Sequence, residues 1–313
     1  MSIWEEDLKE IDKIKDAIES LRQSDKSDVA LKHWVEIDSW SCQDHKDYEF
    51  IGVDGSFSIK YLKCFAVYLT RALALSPAIG DVKMSRSEVL DTVNDNQVRQ
   101  HVKAVMSLLE VEVASKALVE AVKQGVNPII LFDGSLSSIL LNRSPRQPSI
   151  TGQTARKLSS LIEDVEEGEV IFIAKRSSDS QYEKGFPDMM LFSSMPMGYS
   201  KPRLVNIAER YNLPEAELDR LGLTPKLKVI TIFYVKLANG SPLLKFEVPG
   251  IIPESKVYDL ISRVSNVAPA GYPVPLLAAH NNVKLSSLTL RRAFSLIGIS
   301  ALSGREVLRE VGM

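Results

Sequence analysis

Apolar positions along the chain fall into two rhythms. Trp4, Leu8, Ile11, Ile14, Ile18 and Leu21 recur every three or four residues, which predicts an amphipathic helix over 3–23. Such a helix either packs on its own chain or meets a second copy or a partner, and the pattern leaves both open. After a polar linker, "EFIGVDGSFSIKYLKCFAVYLTRALAL" reads as strand, turn and strand, with Phe65, Val67, Leu69 and Ala72 suited to a buried second strand. "VLDTVNDNQVRQHVKAVMSLLEVEVASKALVEAVKQG" predicts one long helix, opening near Asp91 or Asn94 and closing at Gly125. "NPIILFDGSL" predicts a strand, "TARKLSSLIEDVEEG" a helix and "EVIFIAKRS" a further strand. "GLTPKLKVITIFYVKLANGSPLLKFEVPG" predicts a hairpin turning at Asn239-Gly240. "ESKVYDLISRVSNV" and "NVKLSSLTLRRAFSLIG" predict helices, and a short one ends the chain. A hairpin followed by alternating helices and strands implies a mixed α/β sheet with helices on both faces.

Within this pattern one motif occurs twice. Asp54 in "FIGVDGSFS" and Asp133 in "IILFDGSLS" each follow an apolar strand run and precede Gly-Ser. Each copy alone reads as a turn. As a pair beyond neighbouring strands they form a candidate site, because ligands gather at the carboxyl ends of strands in open α/β sheets. Two buried carboxylates repel, and a hard divalent cation such as Mg²⁺ or Mn²⁺ neutralises them. Gly55 and Gly134 would then let the chain turn and a substrate approach. The long helix offers a third acid: Val105, Leu109 and Val113 centre its buried face, with Glu110 to one side and Glu112 to the other.

Further along, "APAGYPVPLLAAHNNVKLS" holds Tyr272 and His280 in a Pro-rich stretch ahead of a helix, and His280 is a candidate ligand, acid–base or phosphate contact. Lys175 and Arg176 in "IAKRSSDS" follow a buried strand and suit phosphate oxygens. "MGYSKPRL" supplies Tyr199, Lys201 and Arg203, an aromatic-basic strip for single-stranded nucleic acid.

The composition of the 313-residue chain is that of an ordinary globular protein, with 45% apolar and 25% charged residues. A net charge of −2 gives no global nucleic-acid signal, so any basic groove must be local. Cys42 and Cys64 form no CxxC pair, which argues against a disulfide framework and favours a reducing cytoplasm. The charged N-terminus is unlike a signal peptide, and no apolar run is long enough for a membrane span.

In order, "VDGS", "LLEVEVA", "LFDGSL", "IAKRSSDS" with "PDMMLF", and "GYPVPLLAAH" resemble the archaeal NurA nuclease family over roughly 48–290. The resemblance implies an RNase H-like mixed sheet flanked by helices, here with an N-terminal helix (1–25), a nuclease domain (45–300) and a C-terminal helical extension and tail (301–313). It implies a Mn²⁺-dependent nuclease, with Mg²⁺ as the alternative ion. Such an enzyme resects DNA ends 5′ to 3′ on single and double strands and also cuts single-stranded DNA. It further implies a toroidal homodimer partnered by the hexameric HerA helicase. Asp54 and Asp133 match the family's metal-binding aspartates, and Tyr272 and His280 its C-terminal active-site pair. The helix acid stays open: "LLEVEVA" aligns through Glu110, while the shorter distance to Asp133 favours Glu112. The N-terminal helix and "SGREVLREVGM" suit dimer or HerA contacts. Two rivals remain: a non-catalytic module that binds nucleic acid or a partner ATPase on the same scaffold, and a different metal-dependent phosphotransferase.

Overall fold

The computed structural model describes residues 7, 8, 10–16, 27–41, 47–62, 64–166, 168–286, 288, 289 and 292. Its strands are β1 (Trp34–Glu36), β2 (Tyr48–Tyr61), β3 (Ala66–Ser76), β4 (Gly80–Leu90), β5 (Asn127–Asp133), β6 (Val170–Ala174), β7 (Gly198–Ser200), β8 (Arg203–Asn206), β9 (Val229–Lys236) and β10 (Leu244–Pro249). They join in one sheet of order β1-β7-β9-β10-β6-β5-β2-β3-β4, with β8 paired to β9. β2 runs parallel to β5, and β5 to β6, while the β2–β3–β4 meander is antiparallel. A meander followed by two parallel strands, with helices on both faces, is the RNase H-like arrangement.

Alternation along the central strands builds two cores. Ile130, Phe132, Val170 and Phe172 face the long helix Asp95–Lys123 and the helix Ser149–Glu163. Ile129, Leu131, Ile171 and Ile173 face the helices Glu254–Ser265 and Val274–Val283. Burial on both faces makes β5 and β6 continuous apolar runs. Phe132 and Phe172 stack at 4.7 Å and lock the β5–β6 register. The long helix starts where expected, with the Asn94 side chain accepting a hydrogen bond from the Gln97 amide.

Three points differ from expectation. β2 does not end at Asp54; it runs on to Tyr61, paired throughout with β3, so Gly55 is a strand residue rather than a turn. Gly134, with φ of 130°, does turn the chain after β5. β4 was not expected, because "GDVKMSRSEVL" is mostly polar and exposed; at the sheet edge it needs no apolar face. The Pro-rich stretch, expected to be extended or turning, is instead a helix, Val274–Val283, that carries His280 within it, since Pro273 and Pro275 suit a first turn that needs no amide donors; of the helix expected from Asn282 onward, Leu288, Thr289 and Arg292 are helical. Most of 287–313, including the expected terminal helix, lies outside the described residues, as do Cys42 and much of 3–23. Residues 7, 8 and 10–16 are helical, and Leu8, Ile11 and Ile14 are about half exposed there, so the described chain does not cover them.

Candidate metal and phosphate site

Parallel pairing of β2 with β5 brings Val53 opposite Phe132, and so sets Asp54 and Asp133 side by side. Asp54 is 8% exposed. One of its oxygens accepts from the Gly55 amide at 2.8 Å, and the other lies 2.7 Å from His280 Nδ1. His280 Nδ1 is 3.8 Å from Asp133 Oδ2. One potential ligand atom from each of Asp54, Asp133 and His280 lies within 4.8 Å of the others. Lys175 Nζ donates to Asp133 at 2.8 Å and sits 4.5 Å above the Tyr272 ring.

Two glycines permit this convergence. Gly52 lies against the start of the helix Val274–Val283, where a Cβ would fall 2.2 Å from the Pro275 carbonyl oxygen. Gly55 lies under the long helix, where a Cβ would fall 2.4 Å from Glu110 Oε1. Glu110 therefore reaches the back of β2 beside Asp54.

The electrostatics are those of a site short of positive charge. Burial, then Asp54 and Asp133, push the Glu110 pKa well above its ordinary value. Burial, then Asp133, raise that of Asp54, against the pull of His280. The buried Tyr272 hydroxyl lies toward Asp133 but outside good hydrogen-bond geometry; burial, then Asp133 and Asp54, keep it protonated. Hard oxygen donors, an imidazole and an unpartnered hydroxyl are the groups a divalent cation and a phosphate would engage. The residues fit such a cation.

The other expected residues are not brought here. Glu112 turns to Lys157, 3.3 Å away on the neighbouring helix. The Tyr199 expectation is corrected: its ring is buried in the core against Trp40, because β7 is an inner strand and not a surface strip. Arg176 and Lys201 are exposed, and the Lys201 amide donates to the His33 carbonyl. Arg203 lies over the Tyr182 ring.

A family model described as the NurA domain matches residues 48–285. The chain belongs to the NurA family. The DNA double-strand break repair nuclease NurA of Saccharolobus solfataricus is 25% identical over 291 residues, covering 80% of each chain. The crystal structure of the NurA nuclease from Sulfolobus solfataricus superposes with a TM-score of 0.75 at 22% identity, covering 95% of this chain and 97% of that one. A crystal structure of NurA bound to dAMP and manganese gives 0.67 at 15% identity, covering 98% and 100%. These likenesses show a NurA fold.

Sequence reading missed a buried charge network beneath this candidate site. Lys245 and Glu247, alternate residues of β10, pair with each other at about 2% exposure or less, and Lys245 also pairs with Asp179. Arg210 closes the other side of Asp179. Glu247 Oε2 accepts from the Leu136 amide at 2.6 Å, fixing the turn after Asp133. The signal was two charges spaced by two in the apolar strand "LLKFEV".

Proposed function

We propose that this chain is a metal-dependent deoxyribonuclease that resects DNA ends. It degrades single- and double-stranded DNA from 5′ to 3′ and cuts single strands internally. The observation that carries the reading is the convergence of Asp54, Asp133 and His280, with Glu110 behind them. Asp54, Asp133 and Glu110 would hold Mn²⁺, or Mg²⁺ as the alternative, and the bound ion supplies Lewis-acid polarisation of the phosphoryl group and a more acidic water.

The chain's own residues do the rest. Asp54 holds His280 through Nδ1, which orients the ring and leaves Nε2 for proton exchange with the reacting oxygens. Lys175 sets positive charge beside Asp133, where a phosphate would otherwise be repelled. Tyr272 Oη, protonated and unpartnered, donates to a phosphate oxygen. Contacts to the backbone rather than to bases give little sequence specificity and a clear salt dependence. The family membership and the exposed Leu8, Ile11 and Ile14 support a cytoplasmic homodimer that meets HerA. Deleting residues 1–20 would then weaken the dimer or its HerA binding; an unchanged dimer and unchanged HerA binding refute that role for the helix.

The test is cleavage of linear DNA, labelled at either end, in Mn²⁺, Mg²⁺ or EDTA. The reading expects loss from 5′ ends and internal nicks in single strands with metal, and none in EDTA. DNA binding without cleavage in either metal, with HerA added, refutes it and leaves a non-catalytic binding module.

A further inference from the structure

The face of β2 that carries Asp54 continues beyond it, and its neighbours are set by register. Ser56 pairs with Arg71, and Arg71 with Ser85; Asp54 pairs with Leu73, and Leu73 with Lys83. Directly paired residues share a face, as do alternate residues of one strand. Arg71, Lys83, Ser56 and Ser85 therefore stand on the Asp54 face, on the side away from Lys175. A cavity of about 380 Å³ opens there, lined by Arg71, Leu73, Lys83 and Ser85 and by Asn282 and Val283 at the end of the helix that carries His280. Among the described residues, no carboxylate lines it. Arg71 is half-buried and has no ion pair among the described residues, while Lys83 pairs with Asp81 at the strand's outer end. Sheet spacing puts the Arg71 backbone about 8 Å from that of Asp54.

We propose that this cavity is a nucleotide subsite next to the scissile phosphate. Arg71 and Lys83 hold the phosphodiester backbone of the same DNA strand there, and Asn282 and Ser85 contact sugar and phosphate oxygens. The polar edge strand β4 thereby has a function beyond capping the sheet. The inference rests on the nuclease reading for the word scissile, and it is tested without cleavage.

Binding of a fluorescein-labelled oligothymidylate is followed by anisotropy in EDTA over a range of salt. Arg71→Gln with Lys83→Gln weakens binding about tenfold and lowers the slope of log K against log salt by about 1.4, two phosphates at ~0.7 each for a single strand. Arg71→Lys with Lys83→Arg keeps the slope. Lys103→Gln, on the exposed side of the long helix, controls for net charge and leaves the slope in place. An unchanged affinity and slope in the folded double variant overturns the subsite, as does an equal loss in Lys103→Gln. A wild-type chain that cuts no DNA but shows the Arg71 and Lys83 effect overturns the nuclease reading alone.

Discussion

Replacing Gly52 with Ala tests how the fold delivers His280 to Asp54. The new Cβ would stand 2.2 Å from Pro275 O, 2.3 Å from Pro275 C and 2.8 Å from Leu276 N. All three are backbone atoms, so no side chain can swing aside. Ordinary contact starts near 3.4 Å, so the helix Val274–Val283 must retreat by about 1.2 Å. That retreat carries His280 Nδ1 from 2.7 Å to about 3.9 Å from Asp54, past the ~3.2 Å reach of a hydrogen bond. The overpacking costs about 1–3 kcal/mol of stability. A shift of about 1 Å in a catalytic group costs roughly a hundredfold in rate. The assay is DNA cleavage at saturating metal beside thermal unfolding. Gly152→Ala is the control: its Cβ meets only the flexible end of Arg156, at 3.2 Å, inside a helix. That control gains about 0.5–1 kcal/mol and keeps its activity. A Gly52→Ala chain that cuts DNA and melts like the wild type would refute the reasoning.

Three other outcomes follow from the same structure. Glu110 has a folded-state pKa raised above its ordinary 4.5, so the metal-free chain loses stability as pH rises from that value through the folded one. Glu110→Gln removes this cost and melts higher than the wild type at pH 8 without metal, while losing cleavage; a lower melting temperature contradicts the buried-charge account. His101 is buried against Ser144 at 2.8 Å, and burial, the largest cause, lowers its pKa below 6.5. Its neutral form is favoured in the fold, so its contribution is lost as pH falls from 6.5 through the folded value, and a His101→Gln melting profile should be flatter across that window. Glu247→Ala strips one partner from the buried Lys245 pair and the acceptor from the Leu136 amide, costing about 3–5 kcal/mol in denaturant unfolding; a loss under about 1 kcal/mol would mean that water replaces the carboxylate.

The central strands, the long helix and the hairpin at Asn239-Gly240 were legible because alternation and period are local. β4 was not, since a solvated edge strand carries no apolar rhythm. The two Asp-Gly-Ser segments pointed to side chains that the fold brings together, yet for partly wrong reasons: Gly134 turns the chain, whereas Gly55 makes room for Glu110. The choice between Glu110 and Glu112 depends on how the long helix rotates over β2, a tertiary matter beyond a helical wheel. Tyr199 looked like a surface aromatic because its neighbours are polar; only pairing with β1 and β9 buries it. The Gly52 contact joins positions more than 200 residues apart and leaves no local trace.

The central claim is that Asp54, Asp133 and Glu110 converge on one divalent cation. Crystals grown with Mn²⁺, measured at the manganese absorption edge, test it most directly. The account predicts an anomalous peak bounded by Asp54 and Asp133, lost in crystals of Asp133→Asn. A peak elsewhere in the wild-type chain, or one that survives unchanged in Asp133→Asn, would contradict it.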